Sequence, residues 1–204
     1  MKRLTILMAM LIATSGWAYD ELDLIKFKAT KRCNGCDLSG ADLRNGDFRN
    51  AVLNKANLQG TNLYKADLAY AELDQANLKG ANLVEANLER ASLDRANLED
   101  AYLDQTNFYG AELKDASLKN AYIYLTNFST ADLVRASLRN AKVDEANFYL
   151  TSLGQADLTN VDFTVGPSNL ELVSFDSLGI SDDAIFCNTT MPWGVLNDGC
   201  KDDK

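Results

Sequence analysis

The stretch Ala76-Asn77-Leu78-Lys79-Gly80-Ala81-Asn82-Leu83-Val84-Glu85-Ala86-Asn87-Leu88-Glu89-Arg90 repeats one five-residue unit three times: Ala, Asn, Leu, then two variable residues. Read outward in both directions, the large residue recurs at every fifth position from Leu38 to Phe163. That makes 26 consecutive positions, all Leu, Phe, Ile or Val. Two residues before each lies a small or modest side chain. It is usually Ala, with Thr at Thr61, Thr106, Thr126 and Thr151, Cys at Cys36, Gly at Gly46 and Val at Val161. Between them stands Asp or Asn in 16 of the 26 units.

A period of five suits neither regular element. On an α-helix it advances the large residue by roughly 140° per step and smears it around the surface. On a flat strand an odd period sends successive large residues to opposite faces. The pattern closes only if the chain turns a corner once per unit. The small and large residues then both point inward, their neighbours point out, and the fifth residue makes the bend. Such a chain is a coil stacked on itself, with hydrogen bonds along the rod axis.

Phenylalanine counts the sides. Phe48, Phe108, Phe128 and Phe148 are separated by 60, 20 and 20 residues, multiples of 20 but not all of 15. Four sides per coil follow, with these Phe in one interior column and Thr106 and Thr126 beside Phe108 and Phe128. At 20 residues a coil, the 26 units make 6.5 coils, a rod of about 31 Å at the usual strand spacing. The expected class is all-β, with no room inside for an active site.

Units such as Ala56-Asn57-Leu58-Gln59-Gly60 and Ala76-Asn77-Leu78-Lys79-Gly80 resemble the pentapeptide-repeat proteins, A(D/N)LXX, without a gap from residue 36 to 163. The resemblance implies a right-handed quadrilateral β-helix. The opening Cys33-Asn34-Gly35-Cys36-Asp37-Leu38 and the tail Phe186-Cys187-Asn188-Thr189-Thr190-Met191-Pro192 resemble exported members of that family from bacteria and cyanobacteria. Some cytosolic members resemble duplex DNA and act on topoisomerases, which is the alternative function to weigh.

The ends of the chain depart from the unit. Met1 to Ala18 reads as a secretory signal: basic Lys2 and Arg3, an apolar run from Leu4 to Ala13, then small Gly16 and Ala18. The run is too short for a helix to cross a bilayer. Export is therefore expected, to the periplasm, the extracellular space or, in a cyanobacterium, the thylakoid lumen. In residues 19–35 an N-terminal cap is expected, with Leu22, Ile25 and Ala29 at helical spacing across the first coil. The solenoid should run over 36–165. Gly166-Pro167 then breaks the register, and Leu170, Phe175, Ile180 and Ile185 resume it shifted by two, as a degenerate coil before an irregular cap within 166–204. Capping matters because open strand edges invite aggregation, and a loose cap would permit an end-to-end dimer rather than a monomer.

Charge and composition narrow the function classes. Without Lys2 and Arg3 the chain keeps 18 basic against 29 acidic residues, a net of −11. That disfavours direct binding to nucleic-acid phosphates. Residues 36–163 carry 19 acidic and 12 basic side chains, a mixed surface rather than an unbroken anionic stripe. There is no His and no nucleophile motif, so no catalytic residue, metal site or cofactor is expected. The Asp/Asn position holds Asn nine times and Asp seven, which points to a short side chain bonding the backbone rather than to a cation ladder.

Four cysteines in an exported chain suggest disulfides. Cys33 and Cys36 lie at one end of the rod and Cys187 and Cys200 at the other. A four-Cys zinc site is therefore out of reach, and only Cys33–Cys36 and Cys187–Cys200 can close within one chain. The first closes too small a loop to add much by chain entropy, so its redox state stays open. Asn127-Phe128-Ser129 and Asn188-Thr189-Thr190 match the glycosylation triplet; the first follows from the repeat itself and both read as coincidental.

If the interior is scaffolding, function lies where the outside breaks the pattern. One outward column reads Asp42, Asn62, Asn82, Tyr102, Tyr122, Lys142, Asp162, so Tyr102 and Tyr122 should stack one coil apart. Tyr124 and Leu125 lie beside them, and Tyr109, Tyr149 and Leu150 on the next face or corner. These seven form a candidate contact patch, although cross-strand stacking could instead serve stability alone. The expected function is a non-catalytic exported scaffold that binds a protein partner.

Overall fold

The computed structural model describes residues 19–163 and 168–170, with the backbone of 189–191 and 194–196. The expected signal segment, Gly166-Pro167, Phe175, Ile180, Ile185 and the Cys187–Cys200 pair lie outside the described residues.

One unit shows how the rod is held. The Leu93 N–H donates to Glu112 O (2.7 Å) and the Arg95 N–H to Lys114 O (2.7 Å), both in the next coil. The Asn97 N–H donates to Ala76 O in the previous one (2.9 Å), and the Ala96 N–H closes the corner onto Leu93 O (2.9 Å). Parallel bridges pair residues 20 apart throughout, from Asp37 with Asn57 to Lys142 with Asp162. The four-sided coil is therefore visible in the register itself. Most faces contribute one bridging residue each. Only β1 (Tyr122–Tyr124) and β2 (Lys142–Asp144), paired in parallel, extend to three residues within the rod.

The bend falls on the fifth residue, in the left-handed region, from Asn45 (φ 55°) to Asn160 (φ 58°). Non-glycine residues adopt this conformation at a cost of roughly 1 kcal/mol. Here the corner N–H belongs to the axial ladder, as in Asn45 N–H to Tyr64 O (2.9 Å). The hydrogen bond offsets the strain, so Gly is optional at most corners.

Inward positions are sealed: Leu58, Leu78, Leu98 and Leu118 are wholly buried, as are Ala56 and Ala81. Each Thr at a small position keeps its hydroxyl satisfied by reaching across a coil. Thr106 Oγ1 donates to Leu83 O (2.8 Å) and Thr126 Oγ1 to Leu103 O (2.7 Å). Gly46 has a different reason to be small, since a Cβ there would collide with the Phe48 ring.

The Asp/Asn position does two jobs. Its oxygen accepts the N–H two residues on, as Asn97 does from Glu99 (3.0 Å). Its amide donates to the equivalent oxygen one coil back, giving the ladders Asn97–Asn77–Asn57–Asp37 and Asn127–Asn107–Asn87–Asp67. Asp ends each ladder because its carboxylate accepts the amide of the next coil and has no N–H to pass on. Asn127, the first glycosylation match, is committed to this ladder.

The Phe column is continuous over Phe108, Phe128 and Phe148, with centroids 5.1 Å apart at each step. Phe48 stands at the far end, with Leu68 and Leu88 between. It meets Phe27 of the N-terminal segment instead, at 4.8 Å.

The cap is the helix α1 (Glu21–Thr30), started by Asp20, whose carboxylate accepts from the N–H of Leu22 and Asp23. The expected inward face is corrected. Leu22 and Ile25 are 76 % and 61 % exposed and Ala29 is exposed too, whereas Leu24 and Phe27 are buried. The two stripes compete for one coil end, and the one carrying an aromatic that can fill the Phe48 site wins. Asp23 adds a polar lock by accepting the Asp37 N–H (2.9 Å), and Asp20 N–H bonds Asp37 O (3.0 Å). Cys33 and Cys36 are joined in a buried disulfide. Asp23 lies near both sulfurs, but a bonded pair has no thiolate to offer a metal.

At the other end Asn147 pairs with Asn169, a step of 22 residues rather than 20. Leu170 packs partly buried against the core there. An antiparallel hairpin, β3 (Thr189–Met191) with β4 (Gly194–Leu196), follows. Thr189 is buried, with its hydroxyl donating to Leu158 O.

Candidate functional site: an aromatic groove on one face

Among the 26 large positions only Ile123 and Val143 are β-branched. They are also the two places, among the described residues, where the corner does not close. Neither the Thr126 N–H to Ile123 O bond nor the Ala146 N–H to Val143 O bond forms, and Ala146 N–H turns to Ser168 Oγ instead (3.3 Å). A β-branched side chain favours extended backbone. Residues 122–124 and 142–144 accordingly run as strands β1 and β2 rather than folding at once into the turn.

The opened face holds a groove of about 480 Å³ lined by Asp104, Tyr122, Tyr124, Asn140, Lys142 and Asp144, among others. The face is concave here although the five-residue pattern runs through it unbroken. The hydrophobic pattern registers Ile and Val as equivalent to Leu, whereas backbone preference does not.

The outward column changes on the same face. Tyr102 and Tyr122 stand where Asn62 and Asn82 stand in the preceding coils, and they stack with centroids 5.0 Å apart and planes 8° from parallel. Lys142 continues the column, with Nζ 4.5 Å from the Tyr122 ring centre. Tyr124 and Leu125 are exposed on the same turn. Of the seven candidate contact residues, Tyr122 and Tyr124 line the groove and Tyr102 stacks on its border. Tyr109, Tyr149 and Leu150 belong to the next face and corner and take no part in the lining.

Asp104, Asn140 and Asp144 escaped the sequence reading because each looks like an ordinary outward or corner residue. The usable signal was the pair of β-branched residues. Partial burial raises the Asp104 carboxyl, and no cation pairs with it among the described residues. Asp115 is the contrast. Arg135 grips Asp115 through two 2.7 Å bonds and holds its carboxyl below the usual range.

The two corners can be closed by sequence. Ile123→Leu with Val143→Leu is expected to restore the missing turn bonds and shrink the groove, with a stability change under about 1.5 kcal/mol. Amide hydrogen exchange checks it: the N–H groups of residues 126 and 146 should gain protection. Unchanged exchange would place the cause elsewhere.

A family model described as pentapeptide repeats, in 8 copies, matches residues 32–69, 71–110, 91–130, 111–148 and 131–164. No curated protein matches this chain. Among solved structures it is similar to HetL, a pentapeptide repeat protein involved in heterocyst differentiation regulation in the cyanobacterium Nostoc sp. strain PCC 7120. Identity is 23%, with 81% of this chain and 87% of that one covered and a TM-score of 0.44. It is also similar to a trypsin-treated form of QnrB1, a plasmid-mediated fluoroquinolone resistance protein (16% identity, 74% and 83% covered, TM-score 0.53). A third is the pentapeptide repeat protein Rfr23 of the cyanobacterium Cyanothece 51142 (25% identity, 83% and 97% covered, TM-score 0.40). With its five-residue unit, its 20-residue register and the family match across the whole solenoid, this chain belongs to the pentapeptide-repeat family.

Proposed function

We propose that the protein is an exported, non-catalytic scaffold that binds a protein partner through the tyrosine-lined face. One observation carries this reading: two independent departures from the repeat fall on the same face in adjacent coils. Tyr102 and Tyr122 give up the bond that Asn62 and Asn82 make in the same column to the N–H two residues on, and Ile123 and Val143 give up the turn bonds. A rod selected for stability alone would keep both. Exposed aromatic side chains beside a concavity are the usual make-up of a binding surface.

The topoisomerase alternative draws less support. Lys79 with Glu99 and Asp100, Lys114 with Asp132, and Arg135 with Asp115 neutralise the acids locally. Likeness of fold to QnrB1 carries no activity with it at 16% identity.

Tyr102→Ala with Tyr122→Ala should leave the far-ultraviolet circular dichroism unchanged and cost no more than about 1.5 kcal/mol, the range of one stacked aromatic pair. Crosslinking of the mature protein in a cell-envelope extract should then lose an adduct that the wild type forms. An identical adduct profile would remove the tyrosine face from the reading.

A further inference from the structure

We propose that the groove docks an extended, arginine- or lysine-bearing segment of the partner protein, with its cation seated over Tyr124 between Asp104 and Asp144. This deepens, and rests on, the reading of the rod as a binding scaffold.

Asp104, Tyr124 and Asp144 occupy one outward column in three successive coils, tied by Gln105 N–H to Tyr124 O (2.7 Å) and Leu125 N–H to Asp144 O (3.0 Å). Coils stack about 4.8 Å apart, so Tyr124 has a carboxylate one coil to either side. Neither carboxylate has an ion-pair or hydrogen-bond partner among the described residues. The Tyr124 ring likewise holds no cation among the described residues, whereas its neighbour Tyr122 already carries Lys142 at 4.5 Å. The face thus shows on one column the contact that the other leaves unmade.

Beside Asp104 and Asp144, the cation that lines the groove among the described residues, Lys142, is already engaged over Tyr122. A cation over a tyrosine face gains from the ring quadrupole, and a guanidinium or ammonium could reach both flanking carboxylates in turn. A metal ion could not. The carboxylates are about 10 Å apart, two coil spacings, and cation–oxygen bonds are about 2.0–2.6 Å. The exposed rings of Tyr122 and Tyr124 line the groove. Their apolar surface suits the methylene stem of Arg or Lys, which buries its carbons while the charge stays polar. A bare ammonium ion would leave that surface uncovered, so the occupant is a side chain on a chain.

The test is fluorescence anisotropy at about 0.15 M salt, where the Debye length is about 8 Å, with a labelled peptide of alternating serine and arginine, and a serine–glutamate peptide as its opposite. The wild type should bind the arginine peptide saturably and the glutamate peptide not at all. Asp104→Asn with Asp144→Asn should weaken binding about tenfold or more, as losing charge-assisted contacts does. Tyr124→Ala should weaken it comparably. Glu112→Gln with Asp132→Asn changes net charge equally on the opposite face and should shift affinity less than about twofold, since exposed charges beyond a Debye length are largely screened. Equal loss in both double variants would reduce the effect to diffuse attraction and overturn the inference, as would no saturable binding or binding of the glutamate peptide. Should the arginine peptide fail while the crosslinked adduct still depends on Tyr102 and Tyr122, the scaffold reading stands and the cationic occupant falls.

Discussion

Replacing Phe128 by Ala is expected to destabilise the rod by about 3–5 kcal/mol, the range for truncating a buried aromatic. Phe128 is wholly buried and stacks at 5.1 Å on both Phe108 and Phe148. Its loss therefore removes two ring contacts as well as its transfer free energy. The coils above and below are held at fixed axial spacing by the backbone ladder, as in Phe108 N–H to Asn127 O and Phe128 N–H to Asn147 O, both 2.7 Å. They cannot collapse into the cavity without breaking those bonds. Phe128→Leu is the control. The same column accepts Leu68 and Leu88 as wholly buried residues, so this change should cost well under half as much, about 1.5 kcal/mol. Urea titration followed by circular dichroism measures both. Because each coil touches only its neighbours, Phe128→Ala should also shift amide exchange chiefly in the coils around it. Equal costs for Ala and Leu would mean that filled volume contributes nothing and the ring contacts carry the whole effect.

Ala96→Leu is the second large effect, in the opposite sense. Ala96 is 1 % exposed and faces inward beside Leu98, with Ala76 and Ala116 in the coils on either side. Adding three carbons to a sealed cross-section forces rotamer strain or a wider coil, at about 1–3 kcal/mol or more. Widening would pull Asn97 N–H off Ala76 O, so the damage spreads along the ladder. The same Leu placed outward, as Glu112→Leu at an exposed position, should change stability by less than about 0.5 kcal/mol, as surface substitutions usually do. A melting temperature that falls for Ala96→Leu and holds for Glu112→Leu confirms that the alternation of small and large sets the coil's width.

How much of this was legible beforehand differs by residue. Leu38 to Phe163 spell the period directly, and Phe108, Phe128 and Phe148 give the number of sides, because each position's environment repeats every 20 residues. The Tyr102–Tyr122 stack follows from the same count. The inward face of α1 does not. Leu22, Ile25 and Ala29 have as good a helical spacing as Leu24 and Phe27, and only the vacancy beside Phe48 selects between them. Asp23, which locks the helix to Asp37, is likewise unremarkable until the helix is placed.

The groove was half legible. Tyr122 and Tyr124 stood out as aromatics in an outward position, whereas Asp104 and Asp144 became site residues only when the corners after Ile123 and Val143 stayed open. From its sequence alone this protein is a four-sided rod with a filled interior, because a local five-residue rule repeated 26 times leaves the backbone one way to stack. Tertiary structure alone decided which helix face caps the rod and where the surface becomes concave. Both depend on how neighbouring coils and side chains fill space together, and a periodic pattern records which positions are apolar without recording how closely they fit.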